Sequence, residues 1–228
     1  MSDTGRIPSP VLLCLADQRL PSGGHVHSGG VEEAIAVGHV VDYDTLNEYL
    51  LSRLQTSGLA GAALAAASAT VTADALPGLD AEADARMPSA IARALSRSQG
   101  RGLLRIAKSS WTAPSPTMAW TDLGDRPHHA ILIGCCAQAA GLPASEAALV
   151  FAYQCVTGCA TAAQRLLGLD PISVASLTIA MAPSIDAVAR TATDAAKGPY
   201  RDLPDLANYT LDLYTEAHAA RMNRLFAS

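Results

Sequence analysis

Aromatic side chains make up only 4% of the 228 residues, and Val and Ile are also outnumbered by Ala and Leu. That scarcity disfavours a pleated-sheet core, where rings and β-branched side chains pack best, and favours closely packed helices. Cationic charge is also short: a formal net charge of -5 and a pI near 5.6 exclude the clustered Lys and Arg that DNA or RNA binding needs. Cysteine is sparse and unpatterned. The five include an adjacent pair, Cys135 and Cys136, and a pair four apart, Cys155 and Cys159, and they match no zinc-ribbon or disulfide framework. They are expected to be reduced, buried thiols in a cytosolic protein. Long hydrophobic runs are missing as well. Val11 to Ala16 lacks the flanks of a signal peptide, and Leu59 to Val71 is Ala-, Gly- and Ser-rich and too short to span a bilayer. No fixed-period repeat is found.

What is present is half hydrophobic by composition, enough for a sizeable core. The expected fold is all-α, a single-domain helical bundle of about eight to ten helices, with flexible segments at 1–8 and 219–228. Helices are expected from Pro10 to Asp17, then from Ser28 as N-cap to Gly38, then from Asp42 or Asp44, with Tyr43, Leu46, Tyr49, Leu50 and Leu54 facing the core. Gly58 and Gly61 are read as separating that helix from an Ala-rich one, and Leu76-Pro77-Gly78 as a turn followed by a short solvated piece. Pro88 opens a long helix to Trp111, with an apolar face at Ile91, Leu95, Leu103 and Ile106 and cations Arg93, Arg97, Arg101, Arg105 and Lys108 on another. Gly100 and Gly102 inside it each cost ~1 kcal/mol relative to Ala, so something is expected to pack closely there. After a proline-rich loop at 112–127 come helices Pro127–Ala140, Pro143–Leu167 and Pro171–Lys197, and a last one from about Pro204 to Ala220 carrying Leu206 and His218.

The stretch LPSGGHVHSGGVEE, residues 20–33, invites a search for chemistry. His25 and His27 are candidate zinc or nickel ligands, yet a catalytic metal needs a third, and His39, His128, His129 and His218 sit on other elements without the spacing of H-E-x-x-H. No metal site is expected from this chain alone, and no cofactor. The glycines suggest a phosphate loop, but no strand precedes them and neither G-K-[ST] nor G-x-G-x-x-G is present. No nucleophile sits in a G-x-S-x-G elbow or beside an evident base. The residues alone therefore point to a non-enzymatic binding or scaffolding protein. A small metal-dependent hydrolase using His25 and His27, and a helical regulator of an unrelated GTPase, are the alternatives.

Four ordered segments resemble blocks of one family. LPSGGHVHSGGVEEAI resembles the L-P-x-G-A-F-x-[HY]-S-x-G-L-E segment of the urease accessory protein UreF family. SRSQGRGLLRIA is similar to its S-x-R-Q-G-R-x-L-L-R block, HHAILIGCCAQAAGL to its H-x-P-V-x-x-G-x-x-A-x-x-L-G-L block, and LDLYTEAHAARMNRLFAS to its M-R-H-E-x-x-x-x-R-L-F-x-S ending. The resemblance implies an all-α homodimer without catalysis of its own. It implies a cytoplasmic role with a second scaffold (UreD, also called UreH) and a nickel-carrying GTPase (UreG) in loading nickel into apo-urease, with an influence on GTP hydrolysis. Carried over by position, the partner-binding residues would be Pro21, Gly23, His27, Ser28, Gly30 and Glu32; Gln99, Gly100, Arg101 and Arg105; and His218, Arg224, Leu225, Phe226 and Ser228. Gly24, His25 and Ala219 depart from the pattern, standing where Ala, Phe and Glu are usual.

Overall fold

A computed structural model describes residues 9–205, 208–222 and 225–226, with His25 described by its backbone alone. The segment 1–8, Leu206, Arg224 and Ser228 lie outside the described residues.

The centre of the bundle follows from small side chains. Helix α4 (Leu59–Ser68) buries every residue from Ala60 to Ser68. With Leu59 and Leu64 its only long side chains, it packs closely against α7 (His129–Ala139), α8 (Ala144–Leu167) and α10 (Ala182–Ala195). Helix α7 is buried from His129 to Ala137, which its uniformly apolar sequence anticipates. Leu46, Leu50, Leu54, Leu64, Leu103, Ile131, Leu132 and Ile133 fill the gaps as fully buried large residues. Each such side chain contributes roughly 1.5–3 kcal/mol relative to exposure. The fold is an all-α, single-domain bundle; no β-strand occurs among the described residues.

Around this centre stand α1 (Pro10–Ala16), capped by Ser9, α2 (Val31–Ala36), and α3 (Tyr43–Arg53), where Asp42 and Thr45 form a reciprocal capping box. Helices α5 (Leu76–Ala85), α6 (Ala90–Ser110), α9 (Pro171–Ala180) and α11 (Tyr209–Ala219) complete the set.

Several expectations are corrected. Helix α2 has six residues and starts at Gly30, not at Ser28, because Gly29 and Gly30 both adopt positive φ. Gly58 and Gly61 do not separate two helices: the backbone runs from α3 into α4 through a single π turn, Leu54–Gly58. Leu76-Pro77-Gly78 is the first turn of α5, since proline is compatible with that position, and Leu79 and Ala83 bury its inner face. The single helix expected over 171–197 is two, α9 and α10, bent by 43°. Pro183 cannot donate a backbone N–H and its ring clashes with the preceding turn. The last helix begins at Tyr209, capped by Asn208. All five thiols are free, but Cys14 is exposed and Cys155 only partly buried. No single helix among the described residues is long and apolar enough to cross a membrane; α9 with α10 passes that test only as a bent pair.

Candidate functional site

The acidic start of α2 is the organising element. Gly30, at φ +88, precedes it, and a Cβ there would meet the Tyr49 hydroxyl at 3.0 Å, so the bare backbone is required twice over. Glu32 and Glu33 come next in the first turn, near the positive end of the helix dipole. Both are buried.

A buried carboxylate needs donors, and the other end of the chain supplies them. Glu32 Oε2 accepts from His218 Nε2 at 2.7 Å and from the Phe226 backbone N–H at 3.0 Å, while Oε1 accepts from the Leu225 N–H at 2.8 Å. Burial pushes the Glu32 carboxyl up, but these hydrogen bonds outweigh it and hold the group below its ordinary range. Arg221 grips Glu33, with Nη2 donating to Oε1 at 2.9 Å and Nε to Oε2. His218 is fully buried, whereas Leu225 keeps 81% of its surface exposed and Phe226 packs partly against the core. The tail is thereby fastened by its backbone while one apolar side chain faces outward.

The second block joins the first by backbone contact. A Cβ at Gly102 would stand 2.5 Å from the Ser22 carbonyl oxygen, and one at Gly100 would run into the Pro127 carbonyl. This is the close packing that the two glycines of α6 foretold. At its N-terminal end α6 meets α11, where Glu216 accepts from Ser89 Oγ at 2.5 Å. The loop at 20–30, α6 and α11 thus meet around a cavity of about 240 Å³, which Ser22, His27 and Gln99 also line. Pro21 is exposed, and Gly23 turns the chain at φ +90. Ser28 does not cap a helix: it is fully buried and its hydroxyl has no hydrogen-bond partner among the described residues.

The cationic face of α6 divides in two. Arg93 donates to the Met87 and Pro88 carbonyls, and Arg97 spans Asp80 and Asp84 at 2.8 Å each, so these two are structural. Arg101, Arg105 and Lys108 are exposed.

Among the described residues, one group of three has metal-ligand geometry: Asp80, Asp84 and His128. Arg97 already pairs with both carboxylates, and the fully buried His128 is held between Asp84 at 2.9 Å and Ser96 at 3.0 Å, so all three side chains have partners within the fold. Burial pushes His128 down, with Asp84 opposing. Its neighbour His129 is pushed down to about 4 by burial.

With this arrangement in place, comparison with known proteins settles the kinship. The UreF family model matches residues 40–182, more than half of the chain. A urease accessory protein UreF of Mycolicibacterium vanbaalenii is 49% identical over 219 residues, 95% of this chain and 97% of that protein. Those of Mycobacterium marinum and Mycobacterium tuberculosis are 47% and 44% identical, each over 96% of this chain and 98% of their own length. The chain belongs to the UreF family.

Its role is therefore in urease maturation, as an accessory protein. Of the family-matched residues, the structure brings Gly30 and Glu32 to His218, Leu225 and Phe226 within one node, and sets Gly100 against the Pro127 carbonyl. Arg101 and Arg105 point to solvent. Glu33, Arg221 and Arg53 were given no site role from the sequence, and Tyr49 was read only as facing the core. Glu33 and Arg221 each lay within three residues of a matched position, a signal available in the sequence. Arg53 had none, because its environment comes from the loop and α8.

Proposed function

We propose that this UreF-family chain is a non-enzymatic scaffold. With a second accessory scaffold (UreD/UreH) it recruits a nickel-carrying GTPase (UreG), helps insert nickel into apo-urease and modulates GTP hydrolysis, acting as a cytoplasmic homodimer. Nickel is cargo in this reading.

The observation that carries it is the node at Glu32. It holds together two family segments 186 positions apart in sequence and presents Leu225 outward on a backbone fixed by Glu32. A pre-ordered apolar side chain loses little entropy on docking, which suits an anchor for a partner groove. Arg101 and Arg105 add an exposed cationic edge for an acidic partner surface. The apolar Ile172 and Ile179 of α9, at 76% and 73% exposure, supply a surface for a second copy.

The test is co-purification from cells carrying the urease gene cluster, full chain against a chain lacking 219–228. The full chain is expected to retain the second scaffold and, through it, the GTPase; the truncated chain is expected to keep its helicity and lose both. Retention of the second scaffold by the truncated chain would overturn the assignment of the tail.

A further inference from the structure

The cavity between α3, α6, α8, α11 and the 20–30 loop has two features that scaffolding does not use. The first is a cation without an anion. Arg53 lines the cavity and donates from Nη1 to the Gly29 carbonyl at 2.9 Å; its other near neighbours are the Cys155 and Cys159 thiols and the Tyr49 phenol. Its Nε is buried and has no hydrogen-bond partner, and no carboxylate among the described residues forms an ion pair with it. Arg53 is half-buried with its Nε fully enclosed, and a guanidinium keeps its charge at any physiological pH, so an anion beside it would offset the hydration it has lost. The carboxylates in the cavity wall are occupied elsewhere: Asp17 pairs with Arg19 at 2.8 Å, and Asp212 is pushed up by burial, with Ser89 and Glu216 as its neighbours. Arg86, the other guanidinium of the wall, is taken by Glu82 and by the Tyr200, Arg201, Leu203 and Pro204 carbonyls.

The second feature is a bare acceptor. Gln154 donates its Nε2 to the Leu15 carbonyl at 2.6 Å, which fixes its amide and turns Oε1 toward His129 Nε2 at 3.1 Å. His129 must therefore carry its proton on Nε2, and Nδ1 is a lone pair. That Nδ1 is buried and unpartnered, on a residue that also lines the cavity. Between these polar groups the wall is apolar, with Leu64, Leu95, Phe151 and Leu211.

We propose that this cavity binds a small organic carboxylate that also bears a hydrogen-bond donor, with Arg53 receiving the carboxylate and His129 Nδ1 accepting from the donor. Planar guanidinium and carboxylate groups match in geometry, and the apolar wall suits a short hydrocarbon or ring between the two polar ends. A volume of about 240 Å³ is that of about eight waters, enough for a ligand of about ten non-hydrogen atoms. A divalent cation is disfavoured beside Arg53. The wall includes the exposed Ser57, so the cavity meets solvent.

The probe is 4-hydroxybenzoate, titrated calorimetrically into the full chain at neutral pH, with 4-hydroxybenzamide lacking the charge and benzoate lacking the donor as controls. The acid is expected to bind at least about tenfold more tightly than the amide, and about fivefold more tightly than benzoate. Arg53→Met should remove the first preference and Arg53→Lys restore part of it; His129→Phe should remove the second. Because the three ligands are compared on the unaltered chain, a variant that fails to fold leaves the test standing. Equal binding of acid and amide, no binding of the acid at millimolar concentration, or nickel perturbing the cavity's resonances where the acid does not, each overturns the proposal. None of these outcomes bears on co-purification with the second scaffold, so the cavity and the scaffold role fail separately.

Discussion

Replacing Glu32 by Gln isolates the node on which the scaffold reading rests. The carboxylate accepts three hydrogen bonds, from His218 Nε2 and from the Leu225 and Phe226 amides. An amide offers one oxygen in place of two and turns a donor toward the rest, so it cannot satisfy all three. The losses differ in kind. The two tail amides can be rehydrated, so their release opens the tail without unfolding the bundle. His218 is fully buried and cannot, and a stranded buried donor costs about 1–3 kcal/mol. For a chain of this size that lowers Tm by roughly 3–10 °C. Hydrogen exchange at the Leu225 and Phe226 amides, read beside calorimetry, checks both parts: exchange should accelerate at the tail, with the Tm loss carried by His218. The unaltered chain should release its tail as acid is added. Glu32 titrates below its ordinary 4.5, so its contribution is complete above that pH and is lost as pH falls through the folded-state value. Unchanged protection of both amides together with an unchanged Tm in Glu32→Gln would refute the reasoning.

Gly100→Ala drives a methyl into the Pro127 carbonyl and should cost about 1–3 kcal/mol or more by overpacking, read as a lower urea midpoint at unchanged slope. Acid should destabilise the bundle through His129: unfolded it titrates near 6.5, folded near 4, so its neutral burial costs nothing above 6.5 and up to about 3 kcal/mol as pH falls to 4. His129→Gln should flatten that part of the pH–stability curve. The double variant Arg101→Glu, Arg105→Glu should leave Tm within about 1 °C, since both side chains are exposed, while slowing association with an acidic partner in a salt-dependent way; salt-independent binding equal to the unaltered chain would count against the cationic edge.

Helix existence was legible wherever local chemistry decides it. The Asp42 cap of α3, one of the two expected there, and the αL glycines after α7 and α8 follow from residue types, while the start of α6, expected at Pro88, falls at the Ser89 cap. What failed was punctuation that depends on packing. Gly58 reads as a break, but the buried Leu54 and the alanine face beyond it keep the backbone helical. Pro77 reads as a turn until Leu79 and Ala83 are seen to bury against the bundle. Ser28 reads as a cap by composition and is displaced because two positive-φ glycines carry the chain past it. At the site, matched motifs pointed to Glu32 and His218 separately; only the folded chain pairs them. Arg53 was invisible, since an arginine at a helix end reads as solvated unless the elements closing over it are known.

The π turn at Leu54–Gly58 has a geometric consequence of its own. Each residue of an α-helix rotates the side-chain direction by ~100°, so a turn holding one extra residue changes the phase between α3 on one side of it and α4 on the other. Upstream, Arg53 looks into the cavity; downstream, the small-residue face of α4 looks into the core. The turn is a phase adapter: it lets Arg53 reach the cavity while the alanines of α4 stay packed in the core. Point substitutions at its exposed positions, Gln55 and Ser57, leave that phase untouched. Deleting one residue would swing every downstream side chain by ~100° and turn the alanines of α4 away from α7 and α8 at once.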